Sequence, residues 1–310
     1  MRLSRYAFFV AACTFVLVLM GGIVHTTGSS LACPDWPLCF GQVMPKMEGK
    51  VAVEHSHRMV ATGVGLLTIA LLVMALRRRR EYPGLLPWAG VALGLVVLQG
   101  VIGGVTVLLR LPPEVSTAHL AMSQAFLAIV LLIAWRARAL ELGRPIAPAL
   151  PAGPRRLLLA AAALVYVQLV VAAAMRHTGA SLACVEIPLC KGALFPSGAH
   201  WLVHLHMTHR VLGVLAFFAT LAAGVAAKRG GLPKPWARAA ILVHVVVLAQ
   251  IFVGLLAVVK LLNLHVVTLH LGLAALIWGT LVSLVVVTSP RRRAASAPSG
   301  TPSAAAAVSA

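Results

Sequence analysis

Long apolar runs alternate with short polar segments along almost the whole chain. Eight such runs can be placed, at about 6–26, 53–76, 85–109, 117–135, 157–176, 201–227, 239–260 and 265–288. Each is close to the roughly 20 residues that carry a helix across the hydrocarbon core of a bilayer. Inside lipid, backbone polar groups must be paired within the segment, which selects helices. The runs are too long and unbroken for the alternating strands of an outer-membrane barrel. The pattern predicts an all-α integral membrane protein with eight transmembrane helices. The run that begins at Tyr6 follows a short basic stretch and continues for a full span, so it reads as the first helix rather than a cleavable leader.

Composition agrees, with 60% hydrophobic and 11% charged residues over 310 positions. A net charge of +19 raises the question of nucleic acid. The distribution answers it, because the basic residues sit in clusters between apolar runs, as the positive-inside rule describes. Arg2 and Arg5, Arg77 to Arg80, Arg136 to Arg156, Lys228 to Arg238 and Arg291 to Arg293 fall on alternate connections. That asymmetry predicts cytoplasmic termini in a multi-pass protein of the bacterial inner membrane, with lipid and not nucleic acid as its surroundings.

The chain repeats itself. TGSSLACPDWPLC at 27–39 returns as TGASLACVEIPLC at 178–190, and at the same offset Gln99 meets Gln250, Gly103 meets Gly254 and His119 meets His270. HRM at 57–59 returns as HRV at 209–211, one residue further on. Four spans per unit is an even number, so both units enter the membrane the same way up, as parallel repeats. The expected organisation is two pseudo-symmetric four-helix bundles, 1–136 and 157–288. They are joined by a basic, proline-containing cytoplasmic linker, 137–156, and followed by a disordered Ala/Ser/Pro-rich tail, 289–310.

Ionisable residues inside spans are costly and mark function by default. His57 and His119 open the second and fourth spans; His209 and His270 lie early in the sixth and eighth. Helices of a bundle can aim side chains at a common centre, and two facing imidazoles can hold a heme iron axially. A lone histidine would read as an interhelical hydrogen-bonding group, but recurrence of both members points to two hemes near the outer face. His25, His177 and His200 read as solvated, and His55, His204, His206, His244 and His265 as packing or pocket-lining groups.

Glu54 lies three residues before His57, on the same helix face, whereas His206 lies three residues before His209. A carboxylate in one half only places chemistry in the N-terminal half. The alternative is a cap or charge partner at the helix start, with Arg58 as the partner. Arg58 and Arg210 either contact heme propionates or snorkel toward headgroups. Cys33 and Cys39, and in the repeat Cys184 and Cys190, form C-x5-C pairs in outer loops, where an oxidising compartment favours two disulfides. Two thiolates without a histidine pair make an incomplete metal site. Cys13 reads as a small buried apolar residue. No C-x-x-C-H is present, so any heme is held non-covalently. Gly100, Gly103 and Gly104 either let helices approach or leave room for a macrocycle.

TGSSLACPDWPLCFG, EHSHRM, QGVIGGVTVLL and TAHL in the first half, with TGASLACVEIPLC, HMTHRVLG and TLHLGLA in the second, resemble the heme A synthase family. The resemblance covers nearly all of the chain except linker and tail. It implies oxidation of a methyl group of heme O to the formyl group of heme A, through two hydroxylations and loss of water. It implies His57 and His119 as ligands of the substrate heme, His209 and His270 as ligands of a resident heme b, and Glu54 as the functional carboxylate. The partners it implies are heme O, heme O synthase and terminal oxidase assembly. His25 departs from the family's pattern. The competing classes are a bis-heme electron-transfer cytochrome b and a heme-transfer protein for oxidase assembly.

Overall fold

The computed structural model describes residues 1–290. The expected tail, 289–310, therefore lies outside the described residues from position 291 onward. Eight helices long and apolar enough to cross a membrane make up the described chain: α1 (Leu3–Thr26), α2 (Gly49–Arg77), α3 (Leu86–Leu108), α4 (Pro113–Glu141), α5 (Ala152–His177), α6 (Trp201–Arg229), α7 (Lys234–Val259) and α8 (Leu264–Val287). The protein is an all-helical, multi-pass membrane protein.

Several helices outrun the apolar stretches that predicted them. Helix α2 begins at Gly49, α4 continues to Glu141 and α5 begins at Ala152. The added turns contain Lys, Arg, Glu and Ala, good helix formers that are too polar to count toward a span. The connection between halves is accordingly shorter than expected, from Leu142 to Pro151. Prolines open α3, α4 and α7, where a missing amide proton costs no intrahelical bond.

Within each half every helix packs on its chain neighbours and the ring closes, α1 on α4 and α5 on α8. Helices α2 and α4 are thus diagonal, as are α6 and α8. The halves meet through α1, α4, α5 and α8. The indole of Trp278 on α8 donates to the Gln124 carbonyl on α4 at 2.9 Å, inside that interface. One apolar core runs through both halves, from Leu3 and Val10 to Leu281 and Leu284.

The repeat extends to the turns. The α3–α4 turn places Arg110 and Leu111 at positive φ (60° and 65°), and the α7–α8 turn does the same with Leu261 and Leu262 (48° and 62°). Left-handed backbone is costly for residues with a Cβ, so two such residues at matching positions mark a geometry that the tight turn imposes. At the end of the molecule opposite the cysteine loops, Glu141 accepts from Ser4 N–H (3.0 Å), Ser4 Oγ (2.6 Å) and Tyr82 Oη (3.0 Å), tying α1 and the α2–α3 turn to α4.

Candidate functional site

The four repeated histidines stand on the diagonal helices: His57 on α2, His119 on α4, His209 on α6 and His270 on α8. In the second half the rings of His209 and His270 are 6.4 Å apart between centroids. Two axial bonds of about 2 Å separate ligating nitrogens by about 4 Å and ring centres by roughly 6 Å, so this spacing fits one iron between them.

Small residues make room for these rings. A Cβ added at Gly21 on α1 would stand 3.2 Å from His57 Cε1, at Gly103 on α3 3.1 Å from His119 Cε1, and at Gly254 on α7 2.8 Å from His270 Cε1. Gly104 does other work: a Cβ there would strike the Trp36 indole at 2.5 Å, so this glycine seats the first cysteine loop on α3. Nothing lies within 4 Å of the corresponding position on Gly100. The glycines of QGVIGG thus divide between a ring seat, a loop seat and an open face.

The Nδ1 atoms of His57, His119 and His270 are buried and have no hydrogen-bond partner, although all three rings are partly exposed. Buried polar atoms are normally paired. Orphaned nitrogens on His57, on His119 and on its repeat partner His270 fit rings whose order depends on a bound group. His209 differs, because Gln168 Nε2 lies 3.0 Å from its Nδ1 and donates to its carbonyl at 2.9 Å. Gln250 on α7 donates to the His270 carbonyl at 2.9 Å. At the repeat offset Gln168 corresponds to Leu17, so an amide supports the second half's site and not the first. Sequence reading missed Gln168; an amide in an apolar helix beside a candidate ligand was the available signal.

Both cysteine loops fold alike. Cys33 pairs with Cys39 and Cys184 with Cys190, with Cα separations of 4.9 and 5.8 Å, within the usual disulfide range. Each second cysteine exchanges two backbone hydrogen bonds with a residue three positions on, Cys39 with Gln42 and Cys190 with Ala193. Asp35 accepts from the amides of Phe40 (2.7 Å) and Gly41 (2.8 Å), and the Gly41 amide chiefly holds its carboxyl below the ordinary carboxylate range. Glu186 accepts from Lys191 N–H in the second loop.

The arginines beside the ligands serve these loops. Arg58 donates to the carbonyls of Asp35 (2.7 Å), Leu38 (2.8 Å) and Cys33 (3.1 Å). Arg210 donates to the carbonyls of Glu186 (2.6 Å), Pro188 (3.2 Å) and Cys184 (2.7 Å). Both guanidinium groups are thus turned onto the cysteine loops. An arginine's fork of donors suits it to gathering several carbonyls.

Glu54 lies under the first loop with 3% of its surface exposed. One carboxylate oxygen pairs with Arg58 at 2.6 Å and the other accepts from the Cys33 amide at 2.8 Å. It is not a cap, since α2 begins five residues earlier at Gly49; the charge-partner alternative is realised in the fold. In the second half His206 Nδ1 lies 3.0 Å from the Ala180 carbonyl, and that loop has no buried carboxylate beneath it.

His25 and His177, expected in solvent, pack edge to face at the seam between the halves, with ring centroids 4.9 Å apart. His55 is buried, its Nε2 3.0 Å from the Val43 carbonyl. His204 stacks on Phe195 at 6.1 Å and His244 meets Phe217 edge to face at 6.3 Å, both packing roles. A cavity of about 800 Å³ between α5 and α6, lined by Leu157, Phe218 and Arg229, contains none of the site histidines.

A single loop prediction follows. Cys33→Ser should leave the helices inserted, because Arg58 still gathers the loop carbonyls, and should remove only about 2–3 kcal/mol of loop-closure stabilisation. Alkylation of unreduced protein followed by mass spectrometry should leave Cys33 and Cys39 unlabelled in the parent; labelling of both would contradict the pairing.

Taken together, these features define a membrane-embedded protein of two helical repeats, each with a histidine pair on its second and fourth helices and a cysteine-closed loop above them. Residues 4–282 match the family model described as cytochrome oxidase assembly protein. A heme A synthase of Symbiobacterium thermophilum is 32% identical over 285 residues, which cover 90% of this chain and 93% of that protein. One from Halalkalibacterium halodurans is 31% identical, covering 88% and 93%. One from Geobacillus kaustophilus is 31% identical, covering 92% of each. The chain belongs to the heme A synthase family.

Proposed function

We propose that this chain oxidises the methyl group of heme O to the formyl group of heme A by successive hydroxylation, with the two halves doing different work. The observation that carries the division of labour is Glu54. It is a buried carboxylate one helical turn from His57, at the position where the other half has His206. In this reading His57 and His119 hold the substrate heme, and His209 and His270 hold heme b.

Gly21 keeps the His57 ring free of a neighbouring side chain where the repeat offset places Ala172 in the second half, which suits a site that must admit and release its substrate. Gln168 holds His209 in one orientation, which suits a resident group. Heme b, when bound, supplies one-electron chemistry at a potential tuned by its surroundings. Glu54 keeps a second lone pair on each oxygen beyond those given to Arg58 and Cys33 N–H. Those acceptors can order a water or take a proton beside the reacting methyl. The packed helices exclude bulk water from reactive species.

Extraction of pigment from the purified protein tests this reading. Heme A or a hydroxylated heme is expected alongside heme b. Heme b alone would indicate an electron-transfer cytochrome, and unaltered heme O alone a transfer protein.

The proposed orientation puts both termini and the Arg77–Arg80 turn in the cytoplasm and both cysteine loops outside, with heme O synthase and the oxidase assembly machinery as partners within the membrane. A periplasm-active reporter fused after Gly41 should be active, and after Arg80 silent. The reverse pattern would overturn the orientation.

A further inference from the structure

The seam between the halves contains a cation with no acidic partner among the described residues. Arg176, in the last turn of α5, reaches across to α1, where its Nη2 donates to the Gly22 carbonyl (2.8 Å) and to Thr26 Oγ1 (2.5 Å). Both acceptors are uncharged. His25 and His177 pack against each other in the same region, and neither ring makes a hydrogen bond to protein among the described residues. The local inventory is rich in donors and has no anion.

The chain has 7 acidic residues, and none forms an ion pair with Arg176. Asp35 and Glu186 accept loop amides; Glu48, Glu54 and Glu81 pair with Lys46, Arg58 and Arg78. Glu141 is held by Ser4 and Tyr82, and Glu114 is exposed at the start of α4. Withdrawing a guanidinium from water without a counter-ion is costly. Its donors on Nη1 and Nε remain for single charge-assisted contacts to an anion.

The position is as informative as the charge. Gly21 and Gly22 are successive residues of α1: the first faces the His57 ring, and a Cβ on the second would strike Leu271 at 2.4 Å. Leu271 adjoins His270. Arg176 shares α5 with Gln168, which holds His209. Arg176 Nη1 lies 4.0 Å from the same Cβ position on Gly22, so the guanidinium stands beside Leu271, the residue after His270.

We propose that Arg176, with His25 and His177 beside it, is a carboxylate-binding site that takes a propionate of the heme held by His209 and His270. This rests on the proposed heme-binding role of that pair. It places a propionate anchor at the seam, in addition to the contacts weighed for Arg58 and Arg210.

The test uses heme-loaded protein in a His57→Ala/His119→Ala background, so that only the second site's heme is observed. Arg176→Gln should keep the bis-histidine absorption spectrum, because it removes no iron ligand. It should lower the midpoint potential, since an uncompensated propionate favours the ferric state. Heme transfer to an external scavenger should be about tenfold faster, the loss expected for one charge-assisted contact. Arg176→Lys, which keeps the charge, should hold the potential near that of the parent. Equal potentials and transfer rates in Arg176→Gln and parent would overturn the proposal. So would an effect that appears in phosphatidylglycerol vesicles and vanishes in uncharged detergent, since that would assign the site to a lipid phosphate. A parent without any bis-histidine spectrum would instead overturn the heme-binding reading itself.

Discussion

Glu54→Ala is expected to retain both heme sites and to lower heme A formation by about 10²–10⁴-fold, the range for loss of a general acid–base group. The structure shows why one substitution is not enough. Glu54 is paired to Arg58 and accepts the Cys33 amide, so alanine removes a loop anchor as well as a proton acceptor. Leaving one partner of a buried ion pair alone costs about 3–5 kcal/mol. Glu54→Gln keeps the shape and an acceptor for the Cys33 amide but gives up the charge. If Gln is nearly as damaging as Ala, charge or proton transfer is the point. A near-parental Gln variant would reduce Glu54 to a positioning group. Arg58→Ala separates the roles further: it breaks the same anchor while leaving the carboxylate, so activity well above that of Glu54→Ala is expected. Equal losses in the two alanine variants would assign Glu54 to loop support.

His209→Ala and His270→Ala are each expected to abolish the bis-histidine spectrum of the second site and to bring turnover to background. The 6.4 Å ring spacing suits one iron between two ligands, and no other described histidine is paired across that bundle. Gln168→Ala should have a graded effect. It leaves both ligands in place but frees the His209 ring, and loss of such outer supports typically weakens a metal site by about 10–100-fold. Absorption spectra of the purified variants, normalised to protein, read all three. A full bis-histidine spectrum in His270→Ala would show that the ligand pair has been assigned to the wrong residues.

Much of this organisation is visible in the sequence because lipid restricts the alternatives. An apolar run of one bilayer's width becomes a helix, and the eight runs became eight helices. The recurrence of TGSSLAC as TGASLAC and of His119 as His270 similarly anticipated paired loops and equivalent histidine positions. Less legible were features that depend on where a flexible side chain turns. Arg58 and Arg210 follow their histidines in sequence, yet their forks close on loop carbonyls, because the C-x5-C loops turn several carbonyls inward within reach. Gln168 and Arg176 have no motif; their meaning comes from His209 and Gly22, which lie 41 and 154 residues away. His25 and His177 looked like loop residues because each closes a helix, and only the packing of α1 near α5 brings their rings together. Helix ends were blurred for a simpler reason, since α2, α4 and α5 continue into charged turns that hydropathy does not count.

The most direct measurement is the ratio of heme A to heme O in membranes of a strain whose own heme A synthase has been deleted and which expresses this chain. The expected result is restoration of heme A by the parent and accumulation of heme O with Glu54→Ala, at equal protein levels. Heme O without any heme A in membranes containing the intact, heme-loaded parent would contradict the proposed reaction.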